Sequence, residues 1–249
     1  LDFEFSLGPP PEKEAFFFSS IGTLIRYNPS REIVLVDFLK EKGVEIAMTV
    51  AKVAYLIADD AAPSKGYTIR SKDERDIYWR NYSSALLTNC KVEDPLGKIT
   101  GALSERLRSP KIWSSFYDAK PALESLKKLG CLVGVIANAE SSLAAALDNA
   151  SLSQHIDTVT TSEEAGVEKP DPAIFRKALD KSGLEPKRCV YVGDVPEIDI
   201  LGARNAGITQ VWLDRNRLAR RLGDIQKVET LTELEFLFPI FPHPQGSEK

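Results

Sequence analysis

Two carboxylates and one lysine stand at spacings that suit chemistry on an anion. Lys169 lies in "GVEKPDPAIF", where Pro170 and Pro172 stiffen the approach to a helix that Asp171 can cap. Asp194 and Asp199 follow in "VYVGDVPEIDI". A lysine held on a stiffened loop beside two carboxylates suits a phosphate group and a divalent metal. The matching nucleophile is missing. In "EAFFFSSIGTLIRY", Glu14 to Tyr27, three phenylalanines read as a buried strand that leaves by a Gly-Thr turn, where an α/β enzyme commonly presents a catalytic acid. Ser19, Ser20 and Ile21 fill that exit instead. A neutral hydroxyl is a poor nucleophile without a neighbouring base, and none is near in sequence.

The elements that must position these residues alternate. "AKPALESLKKLG" reads as a helix stopped by Gly130, and "CLVGVIAN" as a short apolar strand of the buried parallel type. Helix "AESSLAAALDNA", strand "IDTVTT", helix "DPAIFRKALDKSG", strand "RCVYVGD", helix "EIDILGARNAG" and strand "TQVWLD" follow. This alternation predicts an α/β fold, a three-layer Rossmannoid doubly wound parallel sheet with functional residues at the carboxyl ends of its strands. The exits then form one set: Ser19 to Thr23, Ala137-Asn138, Thr160-Thr161 with Lys169 just beyond, and Gly193-Asp194 with Asp199 further along.

Between Pro29 and Arg108 the pattern is helical. Asn28 and Pro29 read as the N-cap and first-turn proline of a helix carrying Ile33, Val34, Val36, Phe38 and Leu39. A second apolar helix is expected over Val44 to Ala58. After the turn-rich "DDAAPSKGY", "DERDIYWRNYSSALL" and "PLGKITGALSERL" supply two more. The organisation expected is an N-terminal arm over 1–14, a core over 15–27 and 114–238, a helical cap over 28–113 and a C-terminal tail over 239–249. Both ends are proline-rich and read as packing arms or loose tails.

Composition narrows the partners. The 249 residues carry a formal net charge of -4, which argues against a general nucleic-acid binder. No apolar run approaches a membrane span and the N-terminus lacks a secretion-signal pattern, so a cytoplasmic location is expected. Cys90, Cys131 and Cys189 are odd in number and lack metal-ligand spacing, which predicts buried thiols in a reducing compartment. His155 reads as a solvated loop residue, and His243 belongs to the tail. "LDRNRLARR" reads as a solvated helix face balanced by Asp214 and Asp224. Tyr78, Trp79 and Tyr82 line a pocket or pack the helical core.

The order of "YDAKPALESLKKLG", "VGVIAN", "TTSEEAGVEKPDPAIF" and "VYVGDVPEIDILGARNAGI" resembles the haloacid dehalogenase (HAD) superfamily, in its branch with a helical cap inserted after the first strand. That family hosts phosphatases, phosphonatases, dehalogenases and mutases on one scaffold. The resemblance implies an aspartate nucleophile at the first strand exit and usually a second aspartate, the general acid/base, two residues on. It also implies magnesium between the nucleophile's carboxylate, the carbonyl of that second position and the acidic motif. By this resemblance the nucleophile position is Ser19 and the acid/base position is Ile21. The phosphate-binding positions are Thr23, Ala137, Asn138 and Lys169, with Ala137 standing where a serine or threonine is expected. The metal positions are Asp194 and Asp199.

Three losses at one centre point the same way. Ser19 removes the nucleophile and a hard metal ligand, Ile21 the acid, and Ala137 a phosphate hydrogen bond, so magnesium binding should be weak. The expected function is that of a HAD-like hydrolase fold without phosphatase activity, serving as a binding, sensing or complex subunit. Its partner would be a small phosphorylated molecule or a protein. The alternative is a hydrolase of small phosphorylated metabolites with an altered mechanism, in which Lys169 or an acid of the cap activates Ser19.

Overall fold

The computed structural model describes residues 14–61, 71–217 and 223–238. The proline-rich ends, His243, most of "DDAAPSKGY" and residues 218–221 of the basic cluster lie outside the described residues.

Strand β1 (Ala15–Phe18) is fully buried. Short β2 (Ile25–Tyr27) and β3 (Trp113–Ser115) pair antiparallel as a two-stranded ribbon, and helices α1 (Arg31–Glu41), α2 (Met48–Ala61), α3 (Lys72–Asn89) and α4 (Lys98–Leu107) lie between them in the chain. The alternating part follows with α5 (Ala119–Lys128), β4 (Leu132–Ala137), α6 (Leu143–Asn149), β5 (Thr158–Thr161), α7 (Ser162–Ala165), α8 (Pro172–Ser182) and β6 (Cys189–Gly193). It ends with α9 (Leu201–Asn205), β7 (Thr209–Leu213), β8 (Gln226–Val228) and α10 (Leu234–Leu237).

The six-stranded sheet has the order β5-β4-β1-β6-β7-β8 with every pairing parallel. The triple phenylalanine holds β1 at its centre because the side chains alternate across the sheet. Phe16 and Phe18 pack with α5 and α6, and Phe17 packs with α8 on the other face. This is the three-layer α/β architecture expected. Since Phe18 registers with Val135 on one side and Val192 on the other, the exits of β1, β4 and β6 lie side by side.

Helices α1–α4 share a core of their own. Val34, Leu35, Phe38 and Leu39 of α1 meet the small residues Ala51, Ala54 and Ala58 of α2, which allow close approach, and Leu86, Leu87 and Leu103 complete it. Several boundaries differ from expectation. Asn28 does not cap α1: its bond to Pro29 is cis, and the helix begins two residues later behind Ser30. Helix α2 starts at Met48, not Val44, and Ile33 is exposed while Val36 packs half-buried against the core of the insert. The helix expected from Ala139 starts at Leu143. The segment "EIDILGARNAG" opens with a π-helical turn at Pro196–Ile200, in which Asp199 faces inward. Strands β2, β3 and β8 escaped the sequence reading because three residues are too few to show alternation. No described helix is long and apolar enough to cross a membrane.

Candidate functional site

The chain leaves β1 in a tight turn. The Ser20 carbonyl accepts hydrogen bonds from the N–H groups of Thr23, Leu24 and Ile25, which folds the exit back on itself. Gly22 has φ +85°, and a Cβ there would stand 2.1 Å from Asp194 Oδ2. The position requires glycine on both counts. Thr23 is buried and donates its hydroxyl to Asp194 Oδ1 at 2.7 Å. Ile21 is 49% exposed and lines the cleft, while Ser19 is buried beneath it.

Lys169 reaches this exit from the loop after α7. Its backbone is clamped by Asn138, whose amide donates to the Lys169 carbonyl at 2.9 Å and accepts from the Lys169 N–H at 2.7 Å. The side chain is 3% exposed. Its ammonium donates to Ser19 Oγ at 3.0 Å, Tyr191 Oη at 2.8 Å and Asp199 Oδ1 at 2.7 Å. An ammonium has three N–H groups, and all three are used. Asp199 is equally committed. Its Oδ1 accepts from Lys169 and Tyr191, and its Oδ2 accepts from the N–H groups of Asp194 and Val195 at 3.1 and 3.0 Å.

The electrostatics follow from this wiring. Burial pushes the Asp194 carboxyl up to about 6 from an ordinary 3.8, and the neighbouring Asp199 charge adds to the rise. The Thr23 hydrogen bond and Lys169 oppose it only in part. Tyr191 is held well above its ordinary range by burial and by Asp199, so its phenol stays protonated. It lies mid-strand in β6 with its ring edge-on to Phe175.

The four strand exits the sequence singled out converge here. Ser19, Ile21, Asn138, Lys169, Asp194 and Asp199 all line one cleft of about 820 Å³. Thr23 sits just behind it on Asp194, and Ala137 is buried at the end of β4. Tyr78 and Trp79 of α3 form part of the opposite wall. Tyr82 does not line this cleft: its hydroxyl donates to Asp59 inside the helical insert. Two arginines bridge insert and core across the mouth. Arg75 pairs with Glu163 at 2.6 Å and with Glu140 at 3.4 Å, and Arg108 pairs with Asp76 at 2.6 Å and Glu140 at 3.3 Å.

Three contributors were not legible in the chain. Tyr191 read only as an apolar strand residue. Arg215 read as part of a solvated basic face, yet it donates to the Gly22 and Thr23 carbonyls and twice to buried Asp118, and so straps the β1 turn. Asp214 pairs with Lys227 at 3.0 Å. The ion pairs at the mouth join residues up to 88 apart, and no local signal announces them. His155 ends a short 3₁₀ turn and lies 3.5 Å from Glu124, more enclosed than a solvated loop residue. Cys90, Cys131 and Cys189 are buried free thiols, as their spacing predicts.

The donor set fits a divalent metal poorly. Magnesium takes hard oxygen ligands in near-octahedral geometry, supplied by one or two carboxylates plus water. Asp199 has spent all its acceptor positions and Ser19 offers a neutral hydroxyl already facing an ammonium, so of the residues at the β1 and β6 exits Asp194 is the carboxylate left. Among the described residues no three His, Cys, Asp or Glu side chains cluster as a metal site.

Known proteins resemble this sequence and fold. A family model described as haloacid dehalogenase-like hydrolase matches residues 105–207. Haloacid dehalogenase-like hydrolase domain-containing protein 3 of Danio rerio is 31% identical over 191 residues, 76% of this chain and 78% of that protein. Phosphoserine phosphatase of Thermus thermophilus is 34% identical over 133 residues, 50% of this chain and 52% of that one. The crystal structure of a HAD phosphatase from Thermococcus onnurineus superposes with a TM-score of 0.64 at 22% identity, over 92% of this chain and all of that one. The chain belongs to the haloacid dehalogenase-like hydrolase family.

Proposed function

We propose that this chain is a haloacid dehalogenase-like protein that has lost phosphatase chemistry and works by binding, with residues 28–113 as its cap and the cleft or the surface as its contact. The observation that carries this reading is the Lys169 ammonium on Ser19. At the position where the family resemblance places a nucleophilic carboxylate, a neutral hydroxyl receives a hydrogen bond from a cation whose other two N–H groups hold Tyr191 and Asp199. Such a partner cannot take a proton from Ser19, and a serine without a base attacks phosphorus poorly. Ile21 offers no acid to the leaving group, and Ala137 no hydroxyl to the phosphate.

The alternative, a serine activated by Lys169, requires a neutral amine. The buried 2.7 Å ion pair with Asp199 favours the ammonium. Asp194 and Asp199 also outnumber Lys169 in the inner site, so without a tightly held metal a phosphate monoester meets an excess of negative charge. Magnesium would bind weakly, mostly through water on Asp194. Relatives named as phosphatases support small phosphate esters as the ancestral ligands, and the charge balance favours a protein partner or another ligand now. The three buried free thiols suit a reducing, cytoplasmic setting.

Hydrolysis of a generic aryl phosphate by the purified protein should run no faster than a metal-free blank. Magnesium-dependent turnover that disappears in Lys169→Ala would overturn the reading in favour of the altered mechanism.

A further inference from the structure

The charges of the cleft select against an anion. Each cation that lines it faces a carboxylate that lines it too: Lys169 meets Asp199 at 2.7 Å, Arg75 meets Glu163 at 2.6 Å, and Arg108 meets Glu140 at 3.3 Å. Asp194 and Glu105 line the cleft in addition, so carboxylates outnumber cations among the described residues of its wall. The Lys169 ammonium has no N–H left for an incoming phosphate. A cleft lined by an excess of one sign repels that sign and concentrates the other.

The rest of the wall is aromatic and apolar. Tyr78 and Trp79 of α3 meet edge to face with ring centroids 5.5 Å apart, and Trp113 of β3 has Tyr27 packed against it at 4.1 Å. Tyr78, Trp79 and Trp113 all line the cleft and are only half-buried, so each leaves ring surface for a ligand. Ile21 adds hydrocarbon from the β1 exit, at the position where the family resemblance places an acid. The face of an aromatic ring is negative and attracts an organic cation. Charge and ring surface thus select the same kind of ligand. About 820 Å³ is the volume of a small-molecule site, and ion pairs of Arg75 and Arg108 bridge its mouth, which suits a small molecule over a protein segment. We propose that the cleft binds a small organic ammonium that carries an aromatic ring, with the charge held by the excess carboxylates and the ring by Tyr78, Trp79, Trp113 and Ile21. This ligand class presupposes the loss of phosphatase chemistry and belongs to the same site.

Isothermal titration calorimetry of the full chain, with probes that separate charge from ring, tests the proposal. Phenethylamine should bind, and 2-phenylethanol, which lacks the charge, and ethylamine, which lacks the ring, should each bind at least roughly tenfold more weakly. Phenyl phosphate should bind more weakly still. Asp194→Asn should weaken phenethylamine and leave 2-phenylethanol unchanged, whereas Trp79→Leu should weaken both. The probe series on the parent decides the matter even where a variant folds poorly. Phenyl phosphate that binds more tightly than phenethylamine, or phenethylamine that binds no better than 2-phenylethanol, would overturn the proposal. So would displacement of phenethylamine by submillimolar magnesium, which marks a metal site, or tighter binding of a trilysine peptide, which marks a protein partner. Release of phenol from phenyl phosphate would overturn the loss of phosphatase chemistry and this ligand class together. Phenethylamine that fails to bind while phenyl phosphate stays intact would overturn the ligand class alone.

Discussion

Asp194 faces the cleft and accepts the Thr23 hydroxyl, and its environment disfavours its charge. Its folded value of about 6 lies above the ordinary 3.8, so its contribution to stability is fully present below the ordinary value and is lost as pH rises through about 6. A shift of this size corresponds to roughly 2–3 kcal/mol for a dry group, and about 1–2 once the water reaching the cleft is allowed for. Asp194→Asn keeps an oxygen for the Thr23 hydroxyl and removes the charge. It should therefore raise the melting temperature at pH 8 and leave it nearly unchanged at pH 4, read by paired thermal melts. An equal gain at both pH values would show that packing, not charge, is responsible. Lys169 stands in the opposite condition, since every proton it carries has an acceptor. A buried ion pair of that kind holds together only while both members are present.

The β1 turn is the element on which the site depends. Gly22 combines a left-handed φ with contact to Asp194, and Arg215 ties the Gly22 and Thr23 carbonyls to Asp118 from the far side. Gly22→Ala should thus destabilise the fold by about 2 kcal/mol or more, through the positive φ and a Cβ driven into the Asp194 carboxylate. Chemical denaturation measures it. A midpoint within error of the parent would mean that the turn relaxes freely and does not position Asp194. Much of this element was legible in the chain: the phenylalanine run, the Gly-Thr turn and the alternation after Asp118 set the sheet and the exits. The clamp of Asn138 on Lys169 and the strap of Arg215 were not, because each joins segments that meet only once the sheet is ordered.

At the scale of the whole molecule, the proposed loss of phosphatase chemistry raises the question whether the scaffold is dead or disarmed. Ser19→Asp places a carboxylate beside Lys169, Ile21→Asp restores an acid on the cleft, and Ala137→Ser restores a hydroxyl at the β4 exit. General acid-base groups contribute about 10²–10⁴-fold, and groups that act as a unit are strongly non-additive. Ser19→Asp alone should therefore give little, and the triple variant measurable magnesium-dependent phosphatase activity. The triple variant should also melt higher in magnesium than in chelator, whereas melts of the parent should nearly coincide. A well-folded triple variant that binds magnesium and hydrolyses no phosphate ester would show that the geometry of insert or strands has drifted as well. A large shift of the parent at submillimolar magnesium would contradict the donor set described above.

By itself the sequence determined the α/β class, the family resemblance and the converging set of strand exits. These rest on local hydrophobic period, turn chemistry and motif order, all of which are written in consecutive residues. It also showed that Ser19, Ile21 and Ala137 stand where the family resemblance expects other chemistry. Only the tertiary structure decided what the retained residues do in return. The four hydrogen bonds of Asp199 hold Lys169, Tyr191 and the β6 exit, and Lys169 spends its three protons on partners 22 to 150 residues away in the chain. Buried polar groups must find partners, and which partners are in reach is set by the packing of the sheet.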